Sequence, residues 1–139
     1  MARHIALLRG INLGARRRVG MAQLCSSIED LGYGDVSTLL QSGNVVFSGA
    51  APPPAQLAAQ LEQRLAKTFG FDIQVVVRLH KELAAVVRAN PLADVVTDPK
   101  RYLVYFLAAK VAPERLADID PAAVAPEVFT LRGTEIYLW

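Results

Sequence analysis

The sequence predicts an α+β fold, a βαββαβ unit followed by a second, incomplete βαββ unit. Three observations lead there. Short apolar runs alternate with stretches whose apolar residues recur every three or four positions. Glycine, asparagine and proline separate these runs at spacings that suit turns and helix ends. The order strand, helix, strand, strand then occurs twice along the chain.

Ile5 to Leu8 is apolar, stops at Arg9-Gly10 and reads as a buried strand. Met21, Leu24, Cys25, Ile28 and Leu31 form one helical stripe, closed at Gly32. Val36 to Gln41 and Val45 to Phe47 are strands around the turn residues Ser42-Gly43-Asn44. Pro54 suits a helix start, and Leu57, Leu61, Leu65 and Phe69 give the second stripe, closed by Gly70. Phe71 to Arg78 is rich in β-branched residues and completes a ferredoxin-like unit over residues 1–79. Residues 80–139 then hold a linking helix, His80 to Asn90, ended by Asn90-Pro91, and the second unit. That unit reads as a strand at Tyr102 to Leu107 and a short helix at Pro113 to Asp118. Strands at Glu127 to Leu131 and Glu135 to Trp139 follow, around Arg132-Gly133. It lacks the helix and strand that end the first unit, a pseudo-duplication cut short. The two parts are expected to form one compact domain.

At 139 residues and 53% hydrophobic, the chain has the material for a packed interior. At 20% charged it does not resemble a disordered chain. One cysteine, Cys25, precludes an internal disulfide and suits a reducing compartment. The start lacks the long apolar core of a signal peptide, and no run is long enough to span a bilayer. The expectation is a cytoplasmic protein with no membrane partner.

Charge is unevenly distributed. Residues 1–20 carry Arg3, Arg9, Arg16, Arg17 and Arg18 with no acid, a balance of +5; residues 21–139 carry a balance of −3. The adjacent arginines lie in a loop with Gly10, Asn12, Gly14 and Gly20, small residues that leave backbone exposed. A ferredoxin-like arrangement sets the first two strands parallel, with the third antiparallel between them. The first strand then ends at the rim where the second turns into the third. Arg9, Gly10, Asn12, Gly14, Arg16, Arg17 and Arg18 are thereby expected beside Gln41, Ser42, Gly43 and Asn44. The N-terminus of the first helix opens at the same rim, and its free N–H groups favour an anion. These eleven residues are the candidate ligand-binding set. Each also has a structural reading: the arginines as a solvated loop, Arg9 pairing with Asp35, Asn12 as a turn former, and Ser42-Gly43-Asn44 as a hairpin turn.

Two of these segments also carry a family resemblance. Leu7-Leu8-Arg9-Gly10-Ile11-Asn12-Leu13-Gly14, Met21, Leu24 and Gln41-Ser42-Gly43-Asn44-Val45-Val46-Phe47 resemble the bacterial family called domain of unknown function 1697. Asn90-Pro91-Leu92 and Tyr102 to Leu107 are similar to its later landmarks. The resemblance covers essentially the whole chain. It implies a duplicated ferredoxin-like α+β fold and no established activity. Members usually continue past the end of this chain through a further helix. They usually carry a glycine at position 15 and a less basic stretch at 16–18, where this chain has Ala15-Arg16-Arg17-Arg18.

Other chemistries lack their residues. His4, His80 and Cys25 do not have metal-ligand spacing. No phosphate-loop, dinucleotide or nucleophile-elbow motif is present, so no metal or cofactor is expected. Cys25 lies on an apolar stripe and reads as a core residue. RNA recognition on a sheet face needs stacking aromatics, and the third strand offers Phe47 alone. The leading expectation is a binding module for a nucleotide or nucleic acid at the basic loop. Two alternatives stand beside it. One is an enzyme on a small anionic substrate, with Arg9 as clamp and Ser42 or Asn44 as hydrogen-bonding groups. The other is an assembly role, with the apolar strand Ile136-Tyr137-Leu138-Trp139 as an edge that pairs with a second copy.

Overall fold

A computed structural model describes residues 2–39 and 43–139. The fold is mixed α+β with two antiparallel sheets, and it divides into two units, Met1–Ala84 and Ala85–Trp139.

In the first unit the order is β1 (Arg3–Arg9), α1 (Met21–Asp30), β2 (Gly34–Leu39), β3 (Asn44–Ser48), α2 (Pro54–Phe69) and β4 (Gln74–Leu79). The sheet runs β2-β3-β1-β4 with every neighbouring pair antiparallel, which sets β1 and β2 parallel on either side of β3. Register decides which side chains meet the helices. Ala6 lies between Val45 and Val77, and all three belong to the core with Leu8, Phe47 and Val75. From above, α1 contributes Leu24 and Ile28, and α2 contributes Leu57, Leu61 and Leu65, each at most 1% exposed. Burying such a side chain stabilises the fold by about 1.5–3 kcal/mol. The leucines at every fourth position thus make α2 the main lid of this sheet. Gly70 ends α2 at φ 80°, donating its N–H to Ala66 O. His4 is 4% exposed, with its ring against Phe47 and Nε2 at 2.9 Å from Gly49 O. The one aromatic of β3 therefore faces the helices.

Strand β2 starts earlier than its sequence suggests. Its register shifts between Gly34 and Ser37, where Asp35 adopts φ 49°. Arg3 meets this irregularity, donating from Nη1 to Asp35 O and to Ser48 Oγ.

Helix α3 (His80–Ala89) follows β4 directly; Glu82 turns back to accept from the Leu79 N–H at 2.7 Å. The second unit contains β5 (Leu103–Phe106), α4 (Pro121–Val124), β6 (Phe129–Arg132) and β7 (Glu135–Leu138). The short helix expected at 113–118 is a 3-10 turn, Pro113–Leu116. The additional α4 begins where Asp120 accepts from the Ala122 N–H. Tyr137 is 2% exposed, packs with Val86 and Leu92, and donates its hydroxyl to Val86 O at 2.9 Å. The sheet order is β5-β7-β6. The terminal strand is therefore no edge: β7 is bonded on both sides, and Trp139 continues the ladder through paired bonds with Val128.

Candidate functional site

The loop after β1 is an ordered hairpin. The Asn12 N–H donates to Arg17 O at 2.8 Å and the Arg16 N–H to Leu13 O at 3.0 Å, turning the chain at Gly14, φ 60°. The Asn12 side chain then holds Val19 at both ends. Its Oδ1 accepts from the Val19 N–H at 2.9 Å, and its Nδ2 donates to Val19 O at 3.1 Å. Asn12 itself sits at φ 53°, a conformation asparagine tolerates better than most residues. Val19 and Ile11 are 3% and 7% exposed, so this closure anchors the loop in the core.

Arg17 is the second fastener. Its Nε donates to Gly10 O and its Nη2 to Asp72 O at 2.7 Å, while the guanidinium lies 4.8 Å from the centre of the Phe71 ring. Two carbonyls and an aromatic face occupy this cation. Arg9 donates to Gln74 Oε1 at 3.4 Å, a partner set opposite it by the β1–β4 register; Asp35 meets Arg3 instead. Arg16 and Arg18 are exposed, and among the described residues neither pairs with a carboxylate. Two residues later Gly20 is the N-cap of α1, with no side-chain cap and no acid in the first turn. The first N–H groups of the helix therefore have no side-chain acceptor from the cap residue.

The two distant segments do meet. The Leu8 N–H donates to Gly43 O at 3.1 Å. A Cβ on Gly43 would lie 2.8 Å from both Leu8 Cβ and Ile11 Cδ1. Gly43 thus lies flat against the base of the basic loop, and its φ of 86° suits glycine. Asn44 follows at the start of β3, half-buried and paired with Leu7. Gln41 and Ser42 lie outside the described residues. Of the candidate set, Arg9, Gly10, Asn12, Gly14, Arg16, Arg17, Arg18, Gly43 and Asn44 gather on adjoining segments. Asn12, Arg17 and Gly43 give them shape, and Arg16 and Arg18 leave charge available.

Other groups are less suited to chemistry. Burial, then the nearby Glu29 carboxylate, pushes the Cys25 thiol up, away from the reactive thiolate. Among the described residues no cluster of His, Cys, Asp and Glu could hold a metal ion. Among them too, no helix is long and apolar enough to cross a membrane. Reading the sequence missed Gln74, Phe71 and Asp72 as partners of the arginines. It also missed an apolar groove in the second unit, lined by Tyr105, Leu116, Ile119, Phe129, Ile136 and Leu138 among others.

Comparison with known proteins bears on the whole chain. A family model described as "Protein of unknown function (DUF1697)" matches residues 1–137. The chain belongs to this family. No curated protein matches it. The chain is also similar to the solved structure of a conserved bacterial protein from Streptococcus pneumoniae, at 25% identity and a TM-score of 0.77. That match covers 99% of this chain and 76% of the other. The α+β architecture is thus shared with a solved member of the bacterial world, and neither description names an activity.

Proposed function

We propose that this protein is a binding module for a phosphate-bearing ligand, a nucleotide or nucleic acid, held at the mouth where residues 9–20 adjoin Gly43 and Asn44. The observation that carries the reading is the pairing of free charge with a fixed frame. Arg16 and Arg18 project from a hairpin that Asn12 and Arg17 tie down, beside the uncapped start of α1. A frame that is already ordered loses little entropy when an anion arrives. Arginine suits phosphate because its planar donors match two oxygens at once. The same groups would serve an enzyme for a small anionic substrate. The binding reading is preferred because the arrangement supplies cations and N–H donors suited to holding an anion.

The strand order of the first unit supports a ferredoxin-like unit, and the β5-β7-β6 order supports an incomplete repeat of it. The single, free cysteine supports a reducing, cytoplasmic setting.

Filter binding of a single-stranded oligonucleotide across a salt series tests the function. Three contributing cations, Arg9, Arg16 and Arg18, give a log–log slope of about −2. Arg16→Ala with Arg18→Ala should reduce that slope to about −0.7. Retention that ignores salt, or that survives both substitutions unchanged, would refute the reading.

A further inference from the structure

Arg17 is held differently from the other arginines of the basic loop. Its Nε donates to Gly10 O and its Nη2 to Asp72 O, so the rim of the guanidinium is engaged at two points. All the N–H groups of a guanidinium lie in its plane, and such bonds fix that plane. The Phe71 ring, itself half-buried, lies against the cation, with Cζ 4.8 Å from the ring centre. Arg17 is nonetheless exposed. With the rim bonded and one side on Phe71, the surface left open is the other flat side of the guanidinium.

The backbone adds a second observation. Arg17 sits at φ 54°, a left-handed conformation that glycine, asparagine and aspartate adopt far more readily. A turn alone does not select arginine there, so the position calls for this side chain in spite of the strain. Strained residues of this kind gather at functional sites. Fastening needs only donors aimed at two carbonyls. A rigid cationic plane backed by an aromatic ring is a further property, and it suits a flat partner.

Given the anion-binding reading above, on which this rests, we infer that the open side of the Arg17 guanidinium stacks on an unpaired nucleobase while Arg16 and Arg18 hold the phosphate joined to it. A guanidinium face is weakly hydrated and stacks on aromatic planes. Nucleobases stack on arginine planes as they do on aromatic rings. Phe71, Arg17 and the base then form three layers, with the cation between two π surfaces that each attract it. Arg16 and Arg18 are exposed, and among the described residues neither pairs with a carboxylate. Consecutive Cα atoms lie about 3.8 Å apart, which keeps both guanidinium groups within reach of a phosphate attached to the stacked base. The ligand is a single strand or a free nucleotide, because a base inside a duplex has both faces covered by its neighbours.

Fluorescence anisotropy with labelled oligothymidylate and an abasic deoxyribose-phosphate strand of equal length and charge tests this. The thymidylate should bind about tenfold more tightly, within the range that base stacking supplies. Arg17→Lys keeps the charge, removes the plane and should bring the two affinities within about twofold of each other. Thymidine monophosphate and deoxyribose phosphate, compared as competitors, separate the sources. The same preference there supports a nucleotide, and a preference confined to the oligomers supports a strand. Upfield ring-current shifts of the Arg17 side-chain resonances, on adding oligothymidylate to wild-type protein, give a readout that needs no variant. Equal binding of the two strands overturns the stacking role and leaves the anion-binding reading standing, as does a thymidylate preference that Arg17→Lys retains. Failure of both strands to bind overturns the two together.

Discussion

Replacing Gly43 by alanine tests directly whether the two distant segments meet as described. At φ 86° any residue with a Cβ is strained, by about 1–2 kcal/mol. The new methyl would also stand 2.8 Å from Leu8 Cβ and from Ile11 Cδ1. Ile11 Cδ1 ends a side chain and can rotate. Leu8 Cβ is fixed to β1, whose neighbours on both sides are strands, so relief there requires backbone movement. Such overpacking costs about 1–3 kcal/mol. Together the expected loss is about 2–5 kcal/mol. With a mid-range urea dependence of about 2 kcal/mol per molar, the midpoint should fall by about 1–2.5 M. Circular dichroism at 222 nm is the suitable probe, because α1 and α2 both belong to the affected unit. Gly43→Asn separates the two causes. Asparagine tolerates left-handed φ, yet its Cβ meets the same atoms, so it should also destabilise strongly. A midpoint unchanged by either substitution would mean that residue 43 does not lie against Leu8 and Ile11, and the shared rim would be lost with it.

Further expectations concern the fasteners and the thiol. Asn12→Ala removes two hydrogen bonds to the backbone of the buried Val19, at a cost of about 1–3 kcal/mol by urea titration. Arg17→Gln should weaken the hold on Gly10 and Asp72 and raise proteolytic nicking within 13–18, while the loss of one charge alone would leave the nicking rate unchanged. Tyr137→Phe deletes the bond to Val86 O and should cost about 1–3 kcal/mol, read by Trp139 fluorescence in the same unit. The raised Cys25 pKa means less thiolate than free cysteine has at pH 8.5. Alkylation there should be slower than that of free cysteine and should accelerate with pH into a higher range than free cysteine shows.

Local pattern made most of the first unit legible. The every-fourth-residue spacing of Leu57, Leu61 and Leu65 found α2 and its buried side, and Pro54 with Gly70 found its ends. Gly43 was legible as a turn, though not as a packing necessity, because the clash belongs to Leu8 and Ile11, more than thirty residues away. Strand β2 was placed late because Asp35 breaks the alternation that marks a strand. In the second unit Asp120-Pro121 is a helix-start signal whose helix runs only four residues, and it competes in the sequence with the one at Pro113. The terminal strand was expected at an edge because its sequence is apolar and last. Chain order does not set sheet order, and β7 lies between β5 and β6. Among the arginines, sequence could locate charge but could not allot it. Arg17 is consumed by carbonyls of Gly10 and Asp72 and by Phe71, contacts that depend on how the loop meets the end of α2.

Titration of labelled protein with sodium pyrophosphate, followed by amide resonances, tests the proposed mouth most directly. The account predicts saturable shifts at residues 13–23 and 43–44, abolished by Arg16→Ala with Arg18→Ala and weakened by added salt. Shifts elsewhere in the chain, or an unchanged spectrum, would contradict it.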